Sequence, residues 1–252
     1  SLQLIINVQT LVITLLSVLT TYVCVEKQIE ADFPLTLIAT AVVFPIVFSI
    51  GSAYKRREAA LDEYGVVKSH GRAIFFAARD WVPQTDEIVQ GEVRELLATL
   101  FRDMKQLFNT PLGEMEDKEN DVYTDISRLS QYIKSLRDKG LPSGECSRCN
   151  QYLSKMIVAF ENIKHIYQYR TPRTLRAFSH LFIYLLPILY GPYFAHLGKG
   201  YTAGLVYVTP ILFSVILVCL DNILDHLENP FDLGSEDDVI INDRKFIRSL
   251  DL

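Results

Sequence analysis

The chain has 252 residues, 49% hydrophobic and 22% charged, with 25 Lys and Arg against 30 Asp and Glu for a formal net charge of −5. An acidic overall balance leaves no basic footprint for nucleic acid, and four scattered cysteines are too few for a disulfide framework. Charge is also unevenly spread: it is nearly absent from two long stretches and concentrated between them.

From Ser1 to Val25 there is no charged residue. This run is longer than the apolar core of a secretory signal and lacks the basic leader, so it reads as a membrane span. A chain opening on Ser1 leaves an upstream segment to be expected. A hydrocarbon core of about 30 Å takes about 20 apolar residues in a helix. Four stretches meet that length: Leu2 to Val25, Phe33 to about Ser52, Phe178 to about Ala195, and Tyr201 to Leu220. Buried helices of a soluble core are the competing explanation, but four such runs in a chain this short argue for a bilayer.

Basic residues near span ends set orientation. Lys55, Arg56 and Arg57 follow the second span, and Arg170, Arg173 and Arg176 precede the third, whereas Lys199 is the sole base between the last two. Both termini and the middle of the chain are therefore expected in the cytosol. The expected organisation is two spans in residues 1–54, a cytosolic helical region in 55–176, two further spans in 177–222 and an acidic cytosolic segment in 223–252.

The middle region shows helical periodicity throughout. Val93, Leu96, Leu97, Leu100, Phe101, Met104, Leu107 and Phe108 recur at three and four residues. Thr85 is the expected cap of that helix, with Asp86 and Glu87 in its first turn, and Asn109-Thr110-Pro111 ends it. A second stripe runs through Ile126, Leu129, Ile133 and Leu136 and stops at Gly140-Leu141-Pro142. A third takes Leu153, Met156, Ile157, Phe160, Ile163 and Tyr167. No alternating run suggests a strand, so the predicted class is all-α, with the four spans interrupted by a cytosolic helical bundle.

Chemistry-bearing motifs are sparse. Cys146-Ser-Arg-Cys149 has the spacing of a metal or redox pair, but no second ligand pair and no βαβ setting accompany it, which favours two loop cysteines. The five histidines form no paired cluster, and no nucleophile elbow, phosphate loop or dinucleotide fingerprint is present. Nothing points to an enzyme. The second span is more informative, because Thr36, Thr40, Phe44, Phe48 and Ser52 recur every four residues and share one helix face. Hydroxyls flanking two rings suit either helix packing or a pore with a hydrophobic constriction.

Two stretches resemble the bestrophin family. Phe48-Ser-Ile-Gly-Ser-Ala-Tyr-Lys-Arg-Arg-Glu-Ala-Ala-Leu-Asp-Glu-Tyr-Gly65 is similar to the end of the second bestrophin span, more in its bacterial than its animal form. Leu220-Asp-Asn-Ile-Leu-Asp-His-Leu-Glu-Asn-Pro-Phe231 resembles the family signature that closes on Asn-Pro-Phe. Thr171-Pro172, the Leu-Leu-Pro at 185–187 and the order of spans also fit. The resemblance implies a homopentamer in the bilayer around a central pore for chloride or other small anions, bicarbonate among them; some bacterial members look cation-selective instead. It implies a hydrophobic neck at Thr40, Phe44 and Phe48, where Thr40 departs from the usual apolar residue and is expected to wet the upper neck. It places the cytosolic aperture at Arg173, with Arg176 one turn on; a juxtamembrane anchor is the other reading of Arg173. Animal members carry a calcium clasp after this motif. Asn229, Glu236, Asp237 and Asp238 are the matching oxygen donors for Ca²⁺ here, although an offset in spacing leaves a solvated acidic tail as the alternative. A membrane-anchored helical scaffold that docks partners is the competing functional class; a repeat-built transporter finds no similarity between the halves.

Overall fold

A computed structural model describes residues 6–32, 34–83, 87–169, 173–200, 204–231 and 238–250. Every regular element among the described residues is helical. In chain order they are α1 (Val8–Glu26), α2 (Leu35–Asp80), α3 (Glu87–Asn109), α4 (Met115–Asp138), α5 (Ser143–Gln168), α6 (Arg173–Leu189), α7 (Gly191–Leu197), α8 (Val208–Glu228) and α9 (Asp243–Arg248), with short 3₁₀ turns between some of them. The chain forms two compact units, and α2 contributes to both, its first part ending at Lys55 and its second beginning at Arg56.

The first unit comprises α1, the opening of α2, α6, α7 and α8. Asn7 caps α1: its side chain accepts the Thr10 amide at 3.0 Å, and the Thr10 hydroxyl accepts the Asn7 amide at 3.4 Å. Three helices, Val8–Glu26, Thr36–Asp80 and Leu205–Glu228, are long and apolar enough to cross a membrane. The pair Thr174–Leu189 and Gly191–Gly200, bent by 45°, makes a fourth if it is one span. Pro187, which has no amide to donate, and Gly191 lie at that bend. A β-carbon on Gly191 would stand 2.7 Å from Thr20 Cγ2 and 3.2 Å from the Thr20 backbone, so glycine is what lets α7 approach α1. Ile13, Val42, Ile46, Ile183, Leu186 and Leu217 pack together inside the unit. Buried hydroxyls turn to carbonyls, as a bilayer requires: Ser17 donates to Pro187 O at 2.7 Å and Ser49 to Pro45 O at 2.9 Å. The last apolar run and its helix do not coincide. Expected at Tyr201 to Leu220, the helix begins at Val208 and continues to Glu228, because the polar residues after Leu220 extend it on a face that finds partners.

The second unit holds the rest of α2 with α3, α4, α5 and α9. The apolar stripes are its buried faces: Val93, Leu97, Leu100, Phe101, Met104, Leu107 and Phe108 on α3, then Leu129, Ile133 and Leu136 on α4, and Leu153, Met156, Phe160, Ile163 and Tyr167 on α5, while Leu96, Ile126 and Ile157 are partly buried against them. Thr85 and Asp86 lie outside the described residues; Glu87 is the first residue of α3. Helix α4 closes at Gly140, φ +92°, where the Leu141 amide bonds Leu136 O at 2.9 Å and the Gly140 amide bonds Arg137 O at 3.1 Å, a Schellman ending.

Two features differ from the sequence-based expectation. Cys146 and Cys149 are not in a loop: they lie in the first two turns of α5, buried and without a disulfide. Burial pushes the Cys149 thiol up to about 11, which disfavours the thiolate. The end of the chain is also more than a charged tail. Phe231 stacks on Phe108 with ring centroids 4.9 Å apart, Phe246 of α9 meets Phe101 at 4.3 Å, and Val239, Ile241 and Leu250 are buried with them.

Asp125 of α4 is buried, and burial first, then the neighbouring Asp103 carboxyl, pushes it up to about 6; Arg128 opposes them. A carboxyl that holds its proton more tightly when folded gives stability below the ordinary carboxylate range and loses it as the pH rises through about 6. Asp125→Asn should therefore raise the melting temperature in detergent at pH 7.5 and flatten its fall between pH 5 and 7.5. An unchanged pH profile in that variant would count against this assignment.

Candidate functional site

Along the opening of α2 one side packs inward and the other does not. Val42, Ile46, Ser49 and Ala53 are buried in the first unit. Thr36, Thr40, Phe44, Phe48 and Ser52 are all exposed, and the two rings are 60% and 62% exposed. Phe44 and Phe48 touch each other edge to face at a centroid distance of 4.7 Å. The Thr40 hydroxyl donates to Thr36 O at 2.6 Å, which satisfies its proton and leaves its oxygen as an outward acceptor. Thr40 and Phe44, with Ala39, Val43 and Val47, line a shallow groove of about 270 Å³. The expected neck residues thus stand on one continuous unpacked face.

Arg173 is the first residue of α6, and its side chain lies outside the described residues. Arg176 is not an open charge. Its guanidinium donates to the Asp225 and Glu228 carboxylates of α8, and its Nε lies 3.4 Å from His180 Nε2. Glu228 is only 5% exposed. The polar row continues: Tyr184 donates to Asp221 Oδ2 at 3.0 Å, His180 Nδ1 is 3.8 Å from the same oxygen, and Gln9 of α1 donates to the Tyr184 hydroxyl. Asn7 joins Asn222 at 3.0 Å, and Asn222 donates to Thr10 at 3.3 Å. His180, Asp221 and Asp225 bring one ligand atom each to within 4.8 Å of one another, a donor set of metal-binding type in which Arg176 already engages Asp225.

This cluster has a sequence signal. Asp221, Asp225 and Glu228 fall at i, i+4 and i+7, and Arg176, His180 and Tyr184 at i, i+4 and i+8. Ionisable residues on otherwise apolar helices need partners, and two such rows predict each other.

Of the expected calcium donors, Asn229 follows the last residue of α8, in extended backbone, and Asp238 is described, whereas Glu236 and Asp237 lie outside the described residues. An amide and three carboxylates are oxygen donors of the kind Ca²⁺ takes, and it completes its six to eight ligands with bidentate carboxylates, backbone carbonyls or water.

No protein-family model matches the chain, and no curated protein matches it. Solved structures do. Over nearly its full length the chain has the fold of bacterial bestrophin homologs. A homolog from Klebsiella pneumoniae with a single-residue mutation is 18% identical, with 96% of this chain and 94% of that chain covered and a TM-score of 0.71. The Klebsiella pneumoniae homolog solved by zinc phasing is 17% identical at a TM-score of 0.73, with 96% of each chain covered. A further crystal structure, of a membrane protein variant, is 17% identical at 0.74 over 97% of this chain and 98% of that one.

Glu228 is buried while Arg176 and Asp225 are partly exposed, so removing Arg176 strands one buried carboxylate, whereas apolar replacement of the whole cluster is often neutral. Arg176→Met should therefore lower the melting temperature sharply, and Arg176→Met combined with Asp225→Leu and Glu228→Met should recover most of the loss. No recovery in the triple variant would mean that the charges act on something besides each other.

Proposed function

We propose that the chain is a bestrophin-like channel: a homopentamer that passes chloride or other small anions, bicarbonate among them, along a central pore. The observation that carries this reading is the exposed α2 face in a bestrophin-like fold. A helix that buries Val42 and Ile46 in its own unit while presenting Thr40, Phe44 and Phe48 outward has a face left over for an assembly axis. Five copies of Phe44 and Phe48 make two apolar rings, and an ion crossing them sheds water without charged replacement, so they form the constriction. Thr40 supplies a hydroxyl above them and keeps that end wetter.

In this reading all four spans cross the bilayer, with both termini and the middle region in the cytosol, where Lys55 to Arg57 and Arg170 to Arg176 meet the positive-inside trend. Arg173 then rings the cytosolic mouth. Five guanidiniums stay charged at any physiological pH and favour anions, and an opening to cytosol screens their mutual repulsion. Arg176, paired with two carboxylates, adds little to that field. Calcium, held by Asn229, Glu236, Asp237 and Asp238, would cross-link the motif to the residues after it.

The neck is tested by Phe44→Ala with Phe48→Ala. Widening both rings should raise conductance or open probability in planar bilayers while the detergent-solubilised mass stays at five chains of 28.8 kDa. Unchanged currents from an intact double variant would remove both rings from the pore, and a monomeric or dimeric wild type would favour a scaffold instead. For the mouth, Arg173→Glu should reduce or invert anion over cation permeability, less so at high salt. A reversal potential unmoved across a chloride gradient would make Arg173 an anchor.

A further inference from the structure

The second unit carries a cavity that the pore reading does not use. It measures about 400 Å³ and is lined by Tyr64, Lys68 and Arg72 of α2 and by Asn242, Lys245 and Phe246 near the end of the chain. That volume lies within the range of small-molecule sites. Lys68 and Arg72 are four residues apart and share a helix face, and Lys245 comes from α9. Among the described residues none of these three cations has a carboxylate within ion-pairing distance.

The cavity is rich in donors that have no acceptor. Arg72 Nη2 donates to Ser249 Oγ at 2.8 Å, but its Nε is buried and meets no partner. The buried Tyr64 hydroxyl accepts the Asn242 amide at 3.1 Å, while its own proton has no acceptor among the described residues. Buried donors left unpaired are costly, so their presence together marks a place for an acceptor. Burial and then the Arg72 and Lys245 charges hold the Lys68 ammonium below its ordinary range, which a bound anion would reverse. Lys68 Nζ also sits 4.4 Å from the Tyr64 ring centroid, and Arg72 lies 6.0 Å from that of Phe246, so apolar rings and cations alternate around one space.

We propose that this cavity binds an organic phosphate, its oxygens taken by Lys68, Lys245, Arg72 Nε and the Tyr64 hydroxyl, and its organic group lying against Tyr64 and Phe246. A phosphate monoester brings close to two negative charges and three acceptor oxygens, which match cations and donors converging from two segments. Chloride carries a single negative charge with no fixed acceptor geometry, and a carboxylate has about half the charge of a phosphate monoester. Nothing in this assignment depends on the pore.

The test is a titration of the full chain in detergent with phenyl phosphate, inorganic phosphate and chloride at matched ionic strength, followed by calorimetry and thermal unfolding. Phenyl phosphate should bind most tightly and raise the melting temperature. Lys68→Gln with Lys245→Gln should weaken it by about tenfold or more, and the unliganded melting temperature should not fall, because burial and like-charge neighbours disfavour the Lys68 ammonium when no anion is bound. Arg72→Lys, which keeps the charge but loses Nε, should weaken it too. If only vesicles containing phosphatidic acid protect the wild type, and not the double Gln variant, the phosphate is a lipid headgroup; protection by soluble phenyl phosphate makes it a soluble metabolite. Equal binding by wild type and the double variant, stabilisation by chloride equal to that by phenyl phosphate, or no stabilisation by any of these probes would overturn the site.

Discussion

Arg176 reaches from α6 to two carboxylates of α8, and the register of the first unit follows from that contact. On helices that are otherwise apolar, an unpaired carboxylate as buried as Glu228, or as Asp221 at 1% exposure, is too costly to leave alone. The two helices must therefore align so that Arg176 faces Asp225 and Glu228 while Tyr184 faces Asp221. The same polar row recruits α1 through Asn7, Gln9 and Thr10, and the close approach at Gly191 seats α7 against it. With those helices fixed, α2 packs Val42 and Ile46 inward, and its remaining face is exposed among the described residues.

Periodicity made the second unit legible almost residue by residue, since its stripes on α3, α4 and α5 each face one apolar core. It failed where burial and hydropathy part company. Cys146 and Cys149 looked like loop residues because a Pro and a Gly precede them, yet the helix starts at Ser143 and takes both inside. Phe246 sits in a short charged segment with no stripe of its own, and only tertiary packing against Phe101 shows that it belongs to the core. Hydropathy likewise ends the fourth span at Leu220, although the helix runs on for two more turns of paired polar side chains. Spacing every four residues found the α2 face; it could not tell which side of that helix is packed, a distinction that rests on Val42, Ile46 and Ala53 being buried opposite it.

The two units divide the physical work. Exposed apolar rows on α1, α6 and α8, such as Leu11, Leu15 and Leu19, suit a hydrocarbon surround and have no use in water. The α2 row differs from them by carrying hydroxyls at both ends of an aromatic pair, which lipid does not require. That contrast, more than hydrophobicity itself, is why this face suits an ion path. The fold is one that solved bacterial bestrophin homologs share at 17–18% identity, and a shared fold does not by itself fix a function.

The central claim is that the α2 face lines a water-accessible path, and accessibility measured during conduction tests it most directly. Thr40→Cys protein in planar bilayers, treated with a small sulfonated methanethiosulfonate, should lose anion current as negative charge is fixed at the neck. Wild-type current should be unaffected, because Cys24, Cys146 and Cys149 are buried and Cys219 is only partly exposed. Full modification of Thr40→Cys, verified by mass, with no change in current would place that face against lipid or a neighbouring helix and contradict the account.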